Sequence, residues 1–158
     1  MLSGNPDTFA IWCDSVDFWS TDEFKNGCLG YIIAGDLVWT TRSTLGVDLH
    51  MLAGLHCMTH AVEDARIFYL ETDKAYSELC ERAFPSSSSD ASSNDFRNLV
   101  SAESLSDDGH YIFLVEYGNQ ARLIYGLKGD SSGAKDVVLE RGEFQVVLNQ
   151  AIEKYKSV

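Results

Sequence analysis

The residues that first suggest chemistry are His56, Cys57, His60 and Glu63. They fall in residues 47–64, a stretch that reads as a helix. Two histidines four apart on a helix can share a zinc ion, and Glu63 falls on the same flank. The run between the histidines is HCMTH. It lacks the glutamate that serves as general base in HExxH, and a structural site would need a fourth ligand. A polar helix flank is the plainer account, and a metal-dependent hydrolase built on His56, His60 and Glu63 is kept as an alternative. His50 and His110 are isolated and add nothing to it.

Gly129-Asp130-Ser131-Ser132-Gly133 superficially resembles a serine-hydrolase context. It is not GxSxG, and it sits between two expected strands, whereas a nucleophile elbow needs a strand-to-helix turn. Neither a phosphate-binding GxxxxGK[ST] nor a GxGxxG occurs. The adjacent pairs Glu63-Asp64 and Asp107-Asp108 point in different directions, and no DxDxDG calcium loop is present. No catalytic residue, metal ligand or cofactor site is expected, and hence no enzyme. Among the tryptophans, Trp12 on an alternating strand is expected in the core. Trp19, within Asp17-Phe18-Trp19-Ser20, is the better surface candidate, since Trp is favoured at interaction hot spots.

Charge is more informative than any motif. The 158 residues carry 24 acids against 12 bases, for a net charge of -12 and a pI near 4.5. Nucleic acid and anionic membrane are poor partners for such a chain, because phosphate contacts need clustered Lys and Arg. A basic protein is a good one, since opposite fields steer encounter. Residues 1–64 hold two bases and nine acids, residues 65–110 four and nine, and residues 111–158 six of each. An acidic recognition face must therefore draw on the first 110 residues.

Those residues need a scaffold. A length of 158 residues suits one domain with its own core. The mean hydropathy of -0.12 is that of a soluble protein. No apolar run is long enough to cross a bilayer, and no export signal opens the chain, so a cytoplasmic location is expected. Cys13, Cys28, Cys57 and Cys80 show no CxxC spacing and read as reduced, mostly buried thiols.

Residues 9–16 alternate, with Phe9, Ile11 and Cys13 on one face. Residues 28–39 read as a hairpin around Gly35-Asp36. Met51, Leu55, Met58 and Val62 give residues 47–64 an apolar helical stripe, although Gly54 weakens it. Residues 66–70 read as a short strand. Thr72 or Asp73 can cap a following helix that ends at Pro85, with Glu78 and Arg82 as an i,i+4 pair. Residues 85–95, PSSSSDASSND, read as a flexible Ser-rich loop. Residues 96–109 are ambiguous. Residues 111–117 and 121–127 flank Gly118-Asn119-Gln120 as a hairpin, and Val137-Val138-Leu139 form a further strand after a Gly/Ser loop. Phe144, Val147, Leu148, Ala151, Ile152 and Tyr155 line a closing amphipathic helix. Hairpins mixed with helices predict an α+β fold, a mostly antiparallel sheet with packed helices, in one domain over residues 1–158.

The opening third has a distinctive spacing. It runs Gly4-Asn5-Pro6, Phe9-Ala10-Ile11, Asp14, Trp19, Phe24, Asn26-Gly27, Tyr31, Ile33 and Gly35, then Thr44-Leu45-Gly46-Val47-Asp48-Leu49. This pattern resembles the immunity protein 42 family of bacterial polymorphic toxin systems. The resemblance is densest over residues 4–60, and the Ser-rich stretch looks like a local insertion. It implies a cytosolic antitoxin without enzymatic activity that binds a cognate toxin's C-terminal domain, in a polymorphic toxin or contact-dependent inhibition system. It assigns no role to any residue. Charge points to a basic nuclease as the toxin. It also points to Asp90, Asp95, Glu103, Asp107 and Asp108, on the acidic middle segment, as partner-binding residues. A general acidic adaptor is the remaining alternative.

Overall fold

The computed structural model describes residues 1–86 and 93–158. It has the expected α+β character: two antiparallel sheets and five α-helices among the described residues. The chain divides into two compact units. Unit 1 comprises residues 1–54, 102–108 and 142–158; unit 2 comprises residues 55–101 and 109–141.

Unit 1 is built on a four-stranded sheet of β1 (Leu2–Asn5), β2 (Phe9–Ser15), β3 (Asn26–Ile33) and β4 (Asp36–Thr44), in that order. Alternation along β2 puts Phe9, Ile11 and Cys13 on the inner face, all at most 2% exposed. Leu29, Tyr31 and Ile33 of β3 join them there. The helix α5 (Glu143–Lys156) covers this face with Phe144, Val147, Leu148, Ala151 and Ile152. The Phe144 ring stacks on Phe9 at 5.1 Å, and Phe9 meets Tyr31 edge-on at 5.6 Å. Gly4 makes the close approach possible. It has φ +92°, and a Cβ there would collide with Val147 and the Phe9 carbonyl. The helices α1 (Leu45–Ala53) and α4 (Glu103–Asp107) complete the unit.

Unit 2 is built on a three-stranded meander of β5 (His110–Tyr117), β6 (Gln120–Leu127) and β7 (Asp130–Glu140). The helix α3 (Thr72–Ala83) packs on it through Ala75, Tyr76, Leu79 and Ala83. The short α2 (Ala65–Tyr69) adds Ile67 and Phe68 to the same core.

Five readings from sequence are corrected. The cap of α3, expected at Thr72 or Asp73, falls at Glu71, and both residues lie within the helix's first turn. The helix expected over residues 47–64 starts earlier, at Leu45, and stops at Ala53, where Gly54 caps it. Its buried side is Leu45, Asp48, Leu49 and Leu52, while Met51 is 50% exposed. The expected strand at 66–70 is α2. Asp64 caps it, accepting from Ile67 N at 3.0 Å, and four apolar residues in a row do not distinguish strand from helix. Of the expected Gly/Ser loop at 129–134, Gly129 lies in the turn and residues 130–134 belong to β7, where the Asp130 carboxylate accepts from Ser132 Oγ and Gly133 N at 3.0 Å. The β3–β4 turn lies one residue earlier than read, at Ala34-Gly35 between the paired Ile33 and Asp36. Strand β1 was not anticipated.

Candidate functional site

The histidine candidates do not form a metal centre. With α1 ending at Ala53, His56 opens a single 3-10 turn (His56–Met58) and His60 follows it. The two rings stack at 4.4 Å, and His60 Nδ1 lies 2.9 Å from Thr59 Oγ1. Glu63 is occupied elsewhere, accepting from Arg141 at 3.1 Å. Among the described residues no group of three or more His, Cys, Asp or Glu side chains could hold a metal ion. The hydrolase alternative loses its geometric basis with the helix that would have aligned its ligands.

The expected partner-binding acids are dispersed. Asp90 lies outside the described residues. Asp95, in unit 2, is clamped by Arg97, with Oδ2 2.8 Å from Nη2 and Oδ1 3.1 Å from Nε. These hydrogen bonds hold its carboxyl below the ordinary aspartate range. Glu103, Asp107 and Asp108 belong to unit 1, at α4. Glu103 and Asp107 are exposed and have no ion-pair partner among the described residues. Asp108 is half-buried, accepting from Thr40 Oγ1 at 2.5 Å with Arg42 at 3.8 Å. It anchors α4 to β4.

The aromatic residues divide differently from the reading above. Trp19 is 47% exposed, as its context suggested. Trp12 is half-buried on the outward face of the sheet, where it meets Trp39 at 6.4 Å and donates from Nε1 to Asp14 at 2.9 Å. Sequence reasoning missed Phe18, which is 97% exposed. It also missed an aromatic group in unit 2, where Tyr69 and Tyr117 meet at 5.5 Å over the buried Phe68. The two more buried thiols, Cys13 and Cys57, are pushed up to about 11 and about 12 by burial. Neither has the lowered pKa that a nucleophile needs.

The described residues thus form a folded body with exposed carboxylates and aromatic side chains. The model of immunity protein 42 matches residues 1–154. The chain belongs to the immunity protein 42 family. A crystal structure of CdiI from Burkholderia dolosa AUO158 is 63% identical in sequence, with a TM-score of 0.95 over 98% of this chain and 99% of that one. No curated protein matches the chain.

This immunity protein is thus an antitoxin that binds and neutralises a cognate bacterial toxin by direct contact. That activity asks for surface chemistry alone. Affinity in such interfaces comes from a few buried anchors, while charge governs encounter and specificity. No helix among the described residues is long and apolar enough to cross a membrane.

Proposed function

We propose that the protein acts in the cytoplasm as a stoichiometric plug, without catalysis, on a toxin C-terminal domain with a basic functional surface, a nuclease being the best fit. The carrying observation is where the unpaired acids lie. Unit 1 holds twelve acids and four bases in sequence, and Asp17, Asp22, Glu23, Glu103 and Asp107 among them have no ion-pair partner among the described residues. Uncompensated carboxylates cost self-repulsion in the free protein and gain it back against a cationic cleft. A nuclease cleft is such a surface, because it must bind phosphates.

Of the four described acids proposed as contacts, Glu103 and Asp107 are the ones without an ion-pair partner among the described residues, whereas Asp95 already has Arg97 and Asp108 already has Thr40. The test is a titration of toxin activity with purified protein. Inhibition should be complete at one equivalent, and its onset should slow as salt rises. Inhibition that persists at catalytic amounts of the protein would mean that it modifies the toxin, and the plug reading would fall. In the double variant Glu103→Lys with Asp107→Lys, the association rate should drop several-fold with its salt dependence flattened. An unchanged rate would remove α4 from the contact surface.

A further inference from the structure

Residues 16–25, which join β2 to β3, combine three features. The first is exposed apolar area: Phe18 is 97% exposed, and Trp19 and Phe24 are 47% and 48%. Scattered surface aromatics are ordinary, but three within seven residues concentrate exposed apolar area on one short connection.

The second feature is order. Ser20 Oγ donates to the Val16 carbonyl at 2.9 Å and accepts from Asn26 N at 3.0 Å. Asn26 Nδ2 donates to the Trp19 carbonyl at 2.8 Å, and its Oδ1 accepts from Thr44 Oγ1 at 3.0 Å. Thr21 and Phe24 close a turn through Thr21 N to Phe24 O and Phe24 N to Thr21 Oγ1. Leu45 N, at the start of α1, donates to the Lys25 carbonyl at 2.9 Å. The aromatic side chains are thus presented on a backbone already fixed, so binding need not bear the entropy of ordering it.

The third feature is charge. Asp17, Asp22 and Glu23 are exposed, and none has an ion-pair partner among the described residues. On its α1 side the connection borders an open groove lined by Glu23, Phe24, Lys25, Val47, His50 and Tyr155, with the Lys25 ammonium 5.8 Å from the Tyr155 ring centre, so the groove itself suits an apolar side chain and the cation-binding acids lie at its rim. Val47 is 43% exposed there, and a Cβ on Gly46 would stand 3.2 Å from the Tyr155 hydroxyl. Gly46 thus leaves room for Tyr155 in the groove.

We propose that residues 16–25 and this groove dock the toxin domain, taking a segment in which Lys or Arg stands beside an apolar side chain that enters the groove. This rests on the antitoxin reading and names a surface for it. Charge selects the occupant. A second copy of the chain would bring the same three carboxylates against themselves, and like charges in apposition are costly. A guanidinium can instead pair with Asp22 or Glu23 and lie over the face of Phe18 or Trp19.

The test uses the full chain and the purified C-terminal domain of the toxin encoded beside its gene. Phe18→Ala removes a side chain that supports nothing in the fold, so its unfolding curve should match the unsubstituted protein. Its dissociation should quicken by about tenfold, the size of an interface anchor. Asp22→Lys with Glu23→Lys should slow association about tenfold at low salt and flatten its salt dependence. Tyr69→Ala, in unit 2, should bind within about twofold of the unsubstituted protein.

If the unsubstituted protein binds tightly while both the Phe18 and the Asp22/Glu23 variants bind equally well, this surface is wrong and the antitoxin reading stands. If the unsubstituted protein neither binds nor protects, both fall together. A dimer in sedimentation that Phe18→Ala converts to monomer would assign the surface to a second copy and overturn the proposal.

Discussion

The two units treat their acids in opposite ways. Each contains twelve in sequence, but unit 2 has eight bases to set against them and unit 1 has four. All five arginines of unit 2 are engaged. Arg66 meets Glu78 at 2.7 Å, Arg82 meets Asp64 at 3.4 Å, and Arg97 meets Asp95 at 2.8 Å. Arg122 meets Asp136 at 2.9 Å, and Arg141 meets Glu63 at 3.1 Å. Unit 1 has one arginine, Arg42, which is 82% exposed and 3.8 Å from Asp108. In unit 2 carboxylates hold the fold together. In unit 1 most are left facing solvent, at a cost in self-repulsion that a cationic partner would relieve. Identical acid counts therefore say little; what matters is which acids the fold has already used.

The sharpest way to break this contrast is Arg122→Ala. Its side chain is 6% exposed. Nη1 donates to the carbonyls of Ile67, Phe68 and Leu70 at 3.1, 3.1 and 2.7 Å, and Nη2 donates to Thr72 Oγ1 at 3.0 Å. The guanidinium caps the C-terminal end of α2, satisfies the link to α3 and neutralises Asp136. Removing it strands buried acceptors and one carboxylate, which should cost about 3–5 kcal/mol. Urea unfolding followed by fluorescence reads this as a lowered midpoint. A loss under about 1 kcal/mol would show that even the buried arginine of unit 2 is incidental to its fold.

Much of the scaffold that positions these groups was legible in the sequence. The alternation of Phe9, Ile11 and Cys13 and the stripe from Phe144 to Ile152 both match the buried faces. In each, residue type and burial share one period over several turns or pleats. Other elements failed for physical reasons. Ile67-Phe68-Tyr69-Leu70 has no period, and the deciding feature was the cap at Asp64, three residues before the apolar run. The stripe through Met51 counted apolar type, whereas Met51 faces solvent and Leu52 faces the core.

For the functional surface, net charge is compatible with the toxin partner that the family implies, but it does not distinguish one carboxylate from another. Asp95 and Asp107 look alike in sequence, and only the fold shows that Arg97 has taken the first. Phe18 was illegible because an exposed aromatic residue matters here only when its loop is ordered, and that order depends on Asn26 reaching Trp19 and Thr44.

Unit 1 does bury one acid, and its treatment sharpens the comparison. Asp48 is 3% exposed, and no cation pairs with it among the described residues. Its Oδ2 accepts from Ser43 Oγ at 2.5 Å and Ser104 Oγ at 2.6 Å, and its Oδ1 accepts from Ser104 N at 3.2 Å. One carboxylate thus joins β4, α1 and α4 through neutral donors. Asp48→Ala should cost about 1.5–3 kcal/mol, less than Arg122→Ala, because two of the abandoned donors are hydroxyls that can rotate toward other acceptors. Urea denaturation of the two variants side by side tests the ranking. A greater loss for Asp48→Ala would mean that unit 1 depends more on its one buried acid than unit 2 does on its arginine network.

The smallest expected effect concerns Asp95 and Arg97. The Arg97 guanidinium lowers the Asp95 pKa in the folded state, so the pair contributes stability that is fully present above the unfolded aspartate value of about 3.9 and is lost as pH falls through the lower folded value. Arg97 is 65% exposed, which limits the contribution to about 0.2–1 kcal/mol. Arg97→Ala should remove that amount at pH 7, with the difference from the unsubstituted protein vanishing once pH lies below both values. A carboxyl-carbon NMR titration should show the Asp95 midpoint returning toward the ordinary range in the variant. Toxin binding supplies the sharper reading, because the released Asp95 carboxylate becomes available to a partner. If Asp95 is a contact held in reserve by Arg97, Arg97→Ala should hasten association with the toxin domain. If unit 2 spends its acids on its own fold, the rate should change by no more than the added unit of negative charge accounts for, and that is the outcome expected here.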